Sequence, residues 1–271
     1  MTLEHSDISR MLEVAVVAAR LAGQRAMEKL KYVKTSIKKG DEIVTEADHL
    51  CQRLIIDRIK ETYPDHGFIA EEGDGDQMLK QPPRAAEPIW WLIDPIDGSN
   101  NYAHGLLCFT VSIAAIYQGR PIAGVIFEPA TESMFTAAED ADAQLNASRI
   151  TVSDEDINKF AGFGIDSHFK PEMTGAVNEV MRRTKFRSLG SAALQLAYVA
   201  KGALVGTLAI DVKLWDIAAG AFLIETAGGI VTDLAGNKVF PIDLENYTGQ
   251  EYHILAANKK THAELLKIFK T

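Results

Sequence analysis

Residues 90–105, WWLIDPIDGSNNYAHG, constrain this chain more than any other stretch. The apolar run from Trp90 to Ile93 reads as a buried strand. It stops at Asp94 and Asp97, which are three residues apart with Pro95 between them. No lysine or arginine occurs in the segment. Carboxylates carried to the end of a buried strand need partners, because an uncompensated buried charge is costly. Proline at the second place of a turn, with glycine after the fourth, favours a tight reversal. Such a turn would aim both carboxylates to one side with the Ile96 carbonyl beside them. Those are hard oxygen donors of the kind Mg²⁺ takes. The competing reading is that Asp97 only caps a helix starting at Gly98.

Other acids occupy comparable places. Glu71 and Glu72 follow the apolar run Gly67–Ala70 and precede a glycine-rich acidic loop. A carboxylate at a strand end faces the edge where ligands of α/β folds bind. Asp216 sits beside Trp215 at the start of an apolar helical stretch, WDIAAGAFLIETAGG, and Asp48 follows VTEA at another helix start. Taken singly, each has an ordinary alternative as a solvated loop acid or a helix cap. Gathered together they would repel one another toward protonation. Two or three divalent cations would relieve that, in the manner of two-metal phosphoryl hydrolysis. Gly98, Ser99 and Asn100 suit the same chemistry. Their backbone N–H groups could cradle phosphate oxygens. The Ser99 hydroxyl could polarise a water if Asp48 takes its proton.

The rest of the chain sets bounds. With 271 residues, 47% of them apolar, it can build a sizeable core. A net charge of -9 argues against nucleic acid as a partner, since a phosphate backbone wants a basic face. Cys51 and Cys108 have no metal-ligand spacing, which fits a reducing compartment. The start, MTLEHSDISR, lacks a signal pattern, and no apolar stretch approaches the ~20 residues of a membrane span. A cytoplasmic protein that does not bind membranes is expected.

Periodicity predicts helices over 7–31 and from about 47 to 63. LKQPPRAAEP reads as a polar loop. CFTVSIAAIYQG and PIAGVIFEPA read as neighbouring strands. Beyond residue 155 the pattern predicts helices at 171–183, 191–202, 215–227 and 260–269. Strands are expected near 161–166, 205–210, 230–233 and 253–257. The change of pattern suggests two closely packed lobes. Residues 1–150 form an α+β lobe with most of the acids, and 151–271 form an α/β lobe with Asp216. GFGIDS, at 162–167, lacks the third glycine of a dinucleotide fingerprint and reads as a closely packed strand. His104 reads as structural.

AEEGD, WLIDPIDGSNNYAHG and WDIAAGAFLIETAGG together resemble the three signature segments of the inositol monophosphatase family. EIVTEAD, LNASRITVS and RSLGSAALQLAYVAKG look like further landmarks, and the resemblance spans nearly the whole chain. It implies a layered α–β–α–β–α sandwich of the sugar-phosphatase type, within the α/β (α+β) class. It also implies a Mg²⁺-dependent, lithium-sensitive phosphomonoesterase, commonly a homodimer. By resemblance, Glu71, Asp94 and the Ile96 carbonyl would hold one metal. Asp94, Asp97 and Asp216 would hold a second, and a third, weaker one would lean on Glu71 and water. Asp48 and Ser99 would orient the attacking water. Gly98 and Ser99 would bind phosphate, with Lys38 or Lys39 nearby. Gly190 and Ala192 would line the substrate.

The sequence departs from the family at one place. Inositol-specific members carry a glutamate seven residues before the aspartate of the W-D pair, where this chain has Ala209. Asp211, two residues on, is the candidate substrate-binding residue that could substitute for it. The phosphatase chemistry is thereby kept and the substrate left open. Inositol 1-phosphate leads, and histidinol phosphate, fructose 1,6-bisphosphate and 3'-phosphoadenosine 5'-phosphate, substrates of relatives, follow. A further reading is a transcription-associated binding factor, as some bacterial members are. The chain offers it no basic tract and no disordered tail.

Overall fold

The structure, a computed structural model, describes residues 3–33, 35–37, 43–75 and 77–270. Helix α1 (His5–Lys29) is long because Ile8, Met11, Ala15, Ala18, Ala22 and Ala26 recur on one face and all are buried. A hairpin of β1 (Thr35–Ile37) and β2 (Ile43–Thr45) leads into α2 (Glu46–Lys60). Thr45 caps α2: its hydroxyl accepts the Ala47 N–H at 3.1 Å, and the Asp48 carboxylate accepts the Thr45 N–H at 2.8 Å.

An eight-stranded sheet follows. It is built from β3 (Gly67–Ala70), β4 (Leu79–Gln81), β5 (Ile89–Asp97), β6 (Thr110–Tyr117), β7 (Arg120–Glu128), β8 (Ser133–Ala138), β9 (Gln144–Leu145) and β10 (Ser148–Arg149), in the order β10-β9-β8-β7-β6-β5-β3-β4. Only β3 and β5 are parallel neighbours in it. The short helix α3 (Ser99–Ala103) leaves the end of β5. The second sheet, of order β12-β11-β13-β15-β14, comprises β11 (Gly162–Ile165), β12 (Lys185–Arg187), β13 (Gly206–Val212), β14 (Ile230–Asp233) and β15 (Tyr252–Ala257). Between these strands run α4 (Thr174–Arg183), α5 (Ala192–Ala200) and α6 (Leu214–Thr226), and α7 (His262–Phe269) closes the chain.

The elements stack in five layers. Helices α1 and α2 cover one face of the large sheet, packing Met11, Ile55 and Ile59 against Trp91 and Ile113. Helices α5 and α6 fill the space between the sheets and touch both, through Leu196, Leu214, Ile217 and Leu223. That double burial explains why α6 is apolar almost all round. Helices α4 and α7 cover the far face of the second sheet with Val177, Val180, Leu265 and Phe269. Each large apolar side chain so buried contributes roughly 1.5–3 kcal/mol. The α–β–α–β–α layering matches the arrangement expected from the sequence.

Two local expectations fail. LKQ, read as loop, is strand β4, pairing antiparallel with β3; a short edge strand carries too few residues to show alternation. Asp94 to Asp97 is not a chain reversal. Strand β5 runs through to Asp97, with Asp94 opposite Ser112 and Asp97 opposite Thr110, and the register shifts between them. Pro95 has no N–H to give to a ladder, so the strand bulges there and continues. By contrast, GFGIDS packs closely as expected. A Cβ on Gly164 would collide with the Thr207 hydroxyl.

Among the described residues, no helix is long and apolar enough to cross a membrane.

Candidate active site

An open cleft of about 390 Å³ lies where the ends of β3 and β5 meet α3 and the starts of α5 and α6. Glu71, Asp94, Asp97 and Asp216 line its floor, together with Ile96. Gly98, Ser99 and Asn100 form one wall, with Gly190 and Ala192 beside them. Asp166, His168, Ile210, Asp211 and Val212 form a second wall. No lysine or arginine is among the described residues that line it.

Each acid is set by its backbone. Glu71 follows β3, and its N–H donates to the Ile93 carbonyl at 3.2 Å. The next residue is clamped on both sides by Gln52: the Glu72 N–H donates to Gln52 Oε1 at 2.8 Å, and Gln52 Nε2 donates to the Glu72 carbonyl. Asp94 opens the bulge, with Oδ1 accepting the Ile96 N–H at 3.0 Å. Asp97 Oδ2 accepts from the Ala193 N–H at 2.7 Å and from the Ser191 hydroxyl, which ties the end of β5 to the start of α5. Asp216 accepts the Lys213 N–H at 2.7 Å, so it caps α6 and faces the cleft at once.

These carboxylates are costly as they stand. Burial, then the charge of Glu71 and the neighbouring aspartates, pushes Asp94 well above the usual carboxylate range. Burial pushes Asp216 up to about 8, with Asp97 adding to it. Asp97 rises only to about 6, because the bonds from Ser191 and Ala193 oppose its burial. The donor chemistry fits hard divalent cations: buried carboxylate oxygens, one bulge carbonyl at Ile96, and no lysine or arginine among the described residues lining the cleft. Among the described residues, no three carboxylate, imidazole or thiol groups already close around one point at ligand distance.

Ser99 links the wall to the floor. Its hydroxyl lies 2.8 Å from Asp48 Oδ1 and 2.9 Å from the Ile96 carbonyl. One proton cannot serve both, and the charged acceptor is the stronger. The Ile96 carbonyl thus keeps its outward lone pair. Gly98 has φ 99°, and a Cβ there would meet the Cys108 and Gly190 carbonyls at 3.0 and 3.1 Å. Only glycine fits that bend. Asn101 stitches the loop that precedes α5 to α3, its Nδ2 donating at 2.6 Å to both the Leu189 and Cys108 carbonyls.

The cleft therefore brings together Glu71, Asp94, Ile96, Asp97, Gly98, Ser99, Gly190, Ala192, Asp211 and Asp216, with Asp48 behind Ser99. Lys38 and Lys39 lie outside the described residues. The alternative that Asp97 merely caps α3 fails, since Gly98 is the cap residue and takes no side-chain bond. His104 stays outside the cleft, its Nδ1 2.8 Å from the Asn100 carbonyl. Sequence reasoning passed over Asp166, His168, Ser191, Asn101 and Gln52. Asp166 could have been found, because it directly follows β11 at a strand end, as Glu71 follows β3. The others act through contacts that no local pattern announces.

The chain is similar to known proteins in sequence and in fold. The profile of the inositol monophosphatase family matches residues 7–271. The Nus factor SuhB of Pseudomonas aeruginosa is 33% identical over 269 residues, covering 94% of each chain. The crystal structure of the extragenic suppressor protein suhB from Bartonella henselae superposes with a TM-score of 0.86 at 28% identity, over 97% of this chain and 99% of that one. An IMPase of Thermotoga maritima superposes with a TM-score of 0.83 at 31% identity, over 96% of each.

Proposed function

The chain belongs to the inositol monophosphatase family, and from that premise we propose that it is a Mg²⁺-dependent phosphomonoesterase acting on a small phosphorylated polyol, inositol 1-phosphate before others. The observation that carries this reading is the convergence of Glu71, Asp94, Asp97 and Asp216 on one cleft with no lysine or arginine among the described residues of its lining.

Glu71, Asp94 and the Ile96 carbonyl would hold one cation, and Asp94, Asp97 and Asp216 a second. A third, weaker cation would rest on Glu71. When bound, such ions supply Lewis-acid charge to the phosphate and lower the pKa of water. The chain's own groups do the rest. Asp48 takes the Ser99 proton, so the Ser99 oxygen presents its lone pair to a water in the cleft and orients it. The backbone N–H groups of Gly98 and Ser99 would steady the phosphate. The water oxygen bonds to phosphorus and gives up a proton as the bond from phosphorus to the ester oxygen breaks, and the departing ester oxygen keeps that bond's electron pair and takes up a proton, leaving the free alcohol and inorganic phosphate. The bulge at Pro95 fixes Asp94, Ile96 and Asp97 relative to one another before substrate arrives, which avoids an ordering cost during the reaction.

The test is phosphate release from inositol 1-phosphate, histidinol phosphate, fructose 1,6-bisphosphate and 3'-phosphoadenosine 5'-phosphate, each with Mg²⁺ and with chelator. Mg²⁺-dependent turnover led by inositol 1-phosphate is expected. Turnover indifferent to chelator would remove the reading.

A second reading rests on one observation, that several relatives are named Nus factors. In it the chain also serves as a binding factor, in addition to or instead of catalysis. Retention of transcription proteins on the immobilised chain would support it, and a clean pull-down beside robust turnover would not.

A further inference from the structure

Of the residues on the second wall of the cleft, Asp211 is the most unusual. Strand β13 pairs in register with β15 as far as Ala209 opposite Ile254, and then slips before Val212 meets Tyr252. Asp211 lies inside that slip with φ 56°, a left-handed backbone that few residues besides glycine, asparagine and aspartate adopt. Simple alternation would set residue 211 on the same face as Ala209, which is buried in the core at 1% exposure. The slip turns it outward instead, so that the Asp211 side chain is 45% exposed and lines the cleft.

Two residues hold it there. The Asp211 N–H donates to His253 Nδ1 at 3.1 Å, which pins the backbone at the slip. Lys170 Nζ lies 3.7 Å from the same oxygen. Neither Lys170 nor His253 is among the residues lining the cleft. Lys170 addresses Oδ1, and no hydrogen bond or ion pair from the described residues reaches Oδ2, which keeps its lone pairs for a ligand. Asp166 steadies the slip from the other side, its carboxylate accepting the Ser167 N–H at 2.8 Å and the Ile210 N–H at 3.5 Å. This wall therefore presents carboxylates. A carboxylate accepts a strong, charge-assisted bond from a neutral hydroxyl and repels a second phosphate.

We propose that Asp211 is the specificity-determining residue of this cleft. It accepts a hydrogen bond from a hydroxyl of the alcohol half, and so selects neutral polyol monophosphates over substrates that carry a second anionic group. Lys170, at Oδ1, and His253, through the backbone N–H, are its positioning residues. The inference rests on the phosphatase reading above.

The experiment compares kcat/KM for inositol 1-phosphate, cyclohexyl phosphate, which lacks the ring hydroxyls, and fructose 1,6-bisphosphate. A site built around a substrate hydroxyl rejects the analogue lacking it. Wild type is expected to prefer inositol 1-phosphate over cyclohexyl phosphate by roughly 10- to 100-fold, the value of one bond to a charged group. In Asp211→Asn and Asp211→Gly that ratio should fall toward one, chiefly through KM, and bisphosphate turnover should rise relative to it. Glycine adopts φ 56° freely, so Asp211→Gly keeps the fold. Lys170→Gln should lower the ratio in part and Lys170→Arg should restore it. A ratio unchanged in both Asp211 variants, or a wild type that prefers the bisphosphate, would overturn the inference. No turnover of any ester by wild type would overturn the phosphatase reading, and this inference with it.

Discussion

Ser99 and Asp48 are 51 residues apart in sequence, and Ser99 Oγ donates to Asp48 Oδ1 across 2.8 Å. The other oxygen of Asp48 is already committed to α2, accepting from the Thr45 N–H at 2.8 Å and the Thr45 hydroxyl at 2.6 Å. One carboxylate thus caps a helix and holds a candidate catalytic hydroxyl, and the two duties are separable. Ser99→Ala should lower kcat by on the order of 100-fold or more while leaving the urea midpoint near that of wild type. Asp48→Ala should lose comparable activity and also about 1 kcal/mol of stability with the cap. Steady-state kinetics and urea denaturation on the same preparations check both.

Removing metal should destabilise the protein, and more so as pH rises. A buried carboxylate whose folded pKa lies above its ordinary 3.8 binds a proton that the unfolded chain releases. Its contribution is complete below about 4 and is lost as pH climbs through the folded value, near 6 for Asp97 and near 8 for Asp216. Chelator-treated protein should therefore melt lower at pH 8 than at pH 6, and saturating Mg²⁺ should shrink the gap. Asp94→Asn removes one of the mutually repelling charges. It should melt a few °C higher than wild type in chelator and gain little from Mg²⁺. Differential scanning calorimetry measures all four conditions.

Away from the cleft, His66 gives a dependence of opposite sign. Its Nδ1 accepts the Trp91 Nε1–H at 3.0 Å, its ring stacks on Tyr63 at 4.5 Å, and burial lowers its pKa from 6.5 to about 4. Protonation would set two donors face to face. The neutral ring's contribution is whole above 6.5 and is lost as pH falls toward 4. Urea midpoints should drop across that window in wild type. In His66→Asn, whose amide oxygen accepts without titrating, that part of the drop should vanish.

Gln52 should govern metal affinity without touching metal. It grips the Glu72 backbone from both sides and so sets where the adjacent Glu71 carboxylate points. Gln52→Ala should weaken Mg²⁺ binding by roughly 10- to 100-fold, measured by calorimetric titration in the absence of substrate.

The sequence made the floor of this cleft legible because Asp94, Asp97 and Asp216 each interrupt apolar runs, where a charge needs a reason. The layering was legible from the helical and strand periodicities. Other features were not. Pro95 fits a tight reversal as well as it fits a bulge, and only the pairing of β5 with β6 on both sides of it decides. The fate of position 209 was equally hidden. Alternation treats Ala209 and Asp211 alike, yet a one-residue slip buries the first and exposes the second. Gln52, Ser191 and Asn101 act through contacts 20 to 94 residues away in sequence, which no short motif encodes.

The central claim is that the four acids serve as a cation cage for phosphate ester hydrolysis. It is tested most directly by phosphate release from inositol 1-phosphate across a Mg²⁺ titration, with wild type and Asp94→Asn side by side. Wild type should rise from baseline to a plateau. The variant should stay flat, at least about a thousandfold lower, equivalent to about 4 kcal/mol in the barrier. A variant that follows the wild-type curve, or a wild type that turns over equally well in chelator, would contradict it.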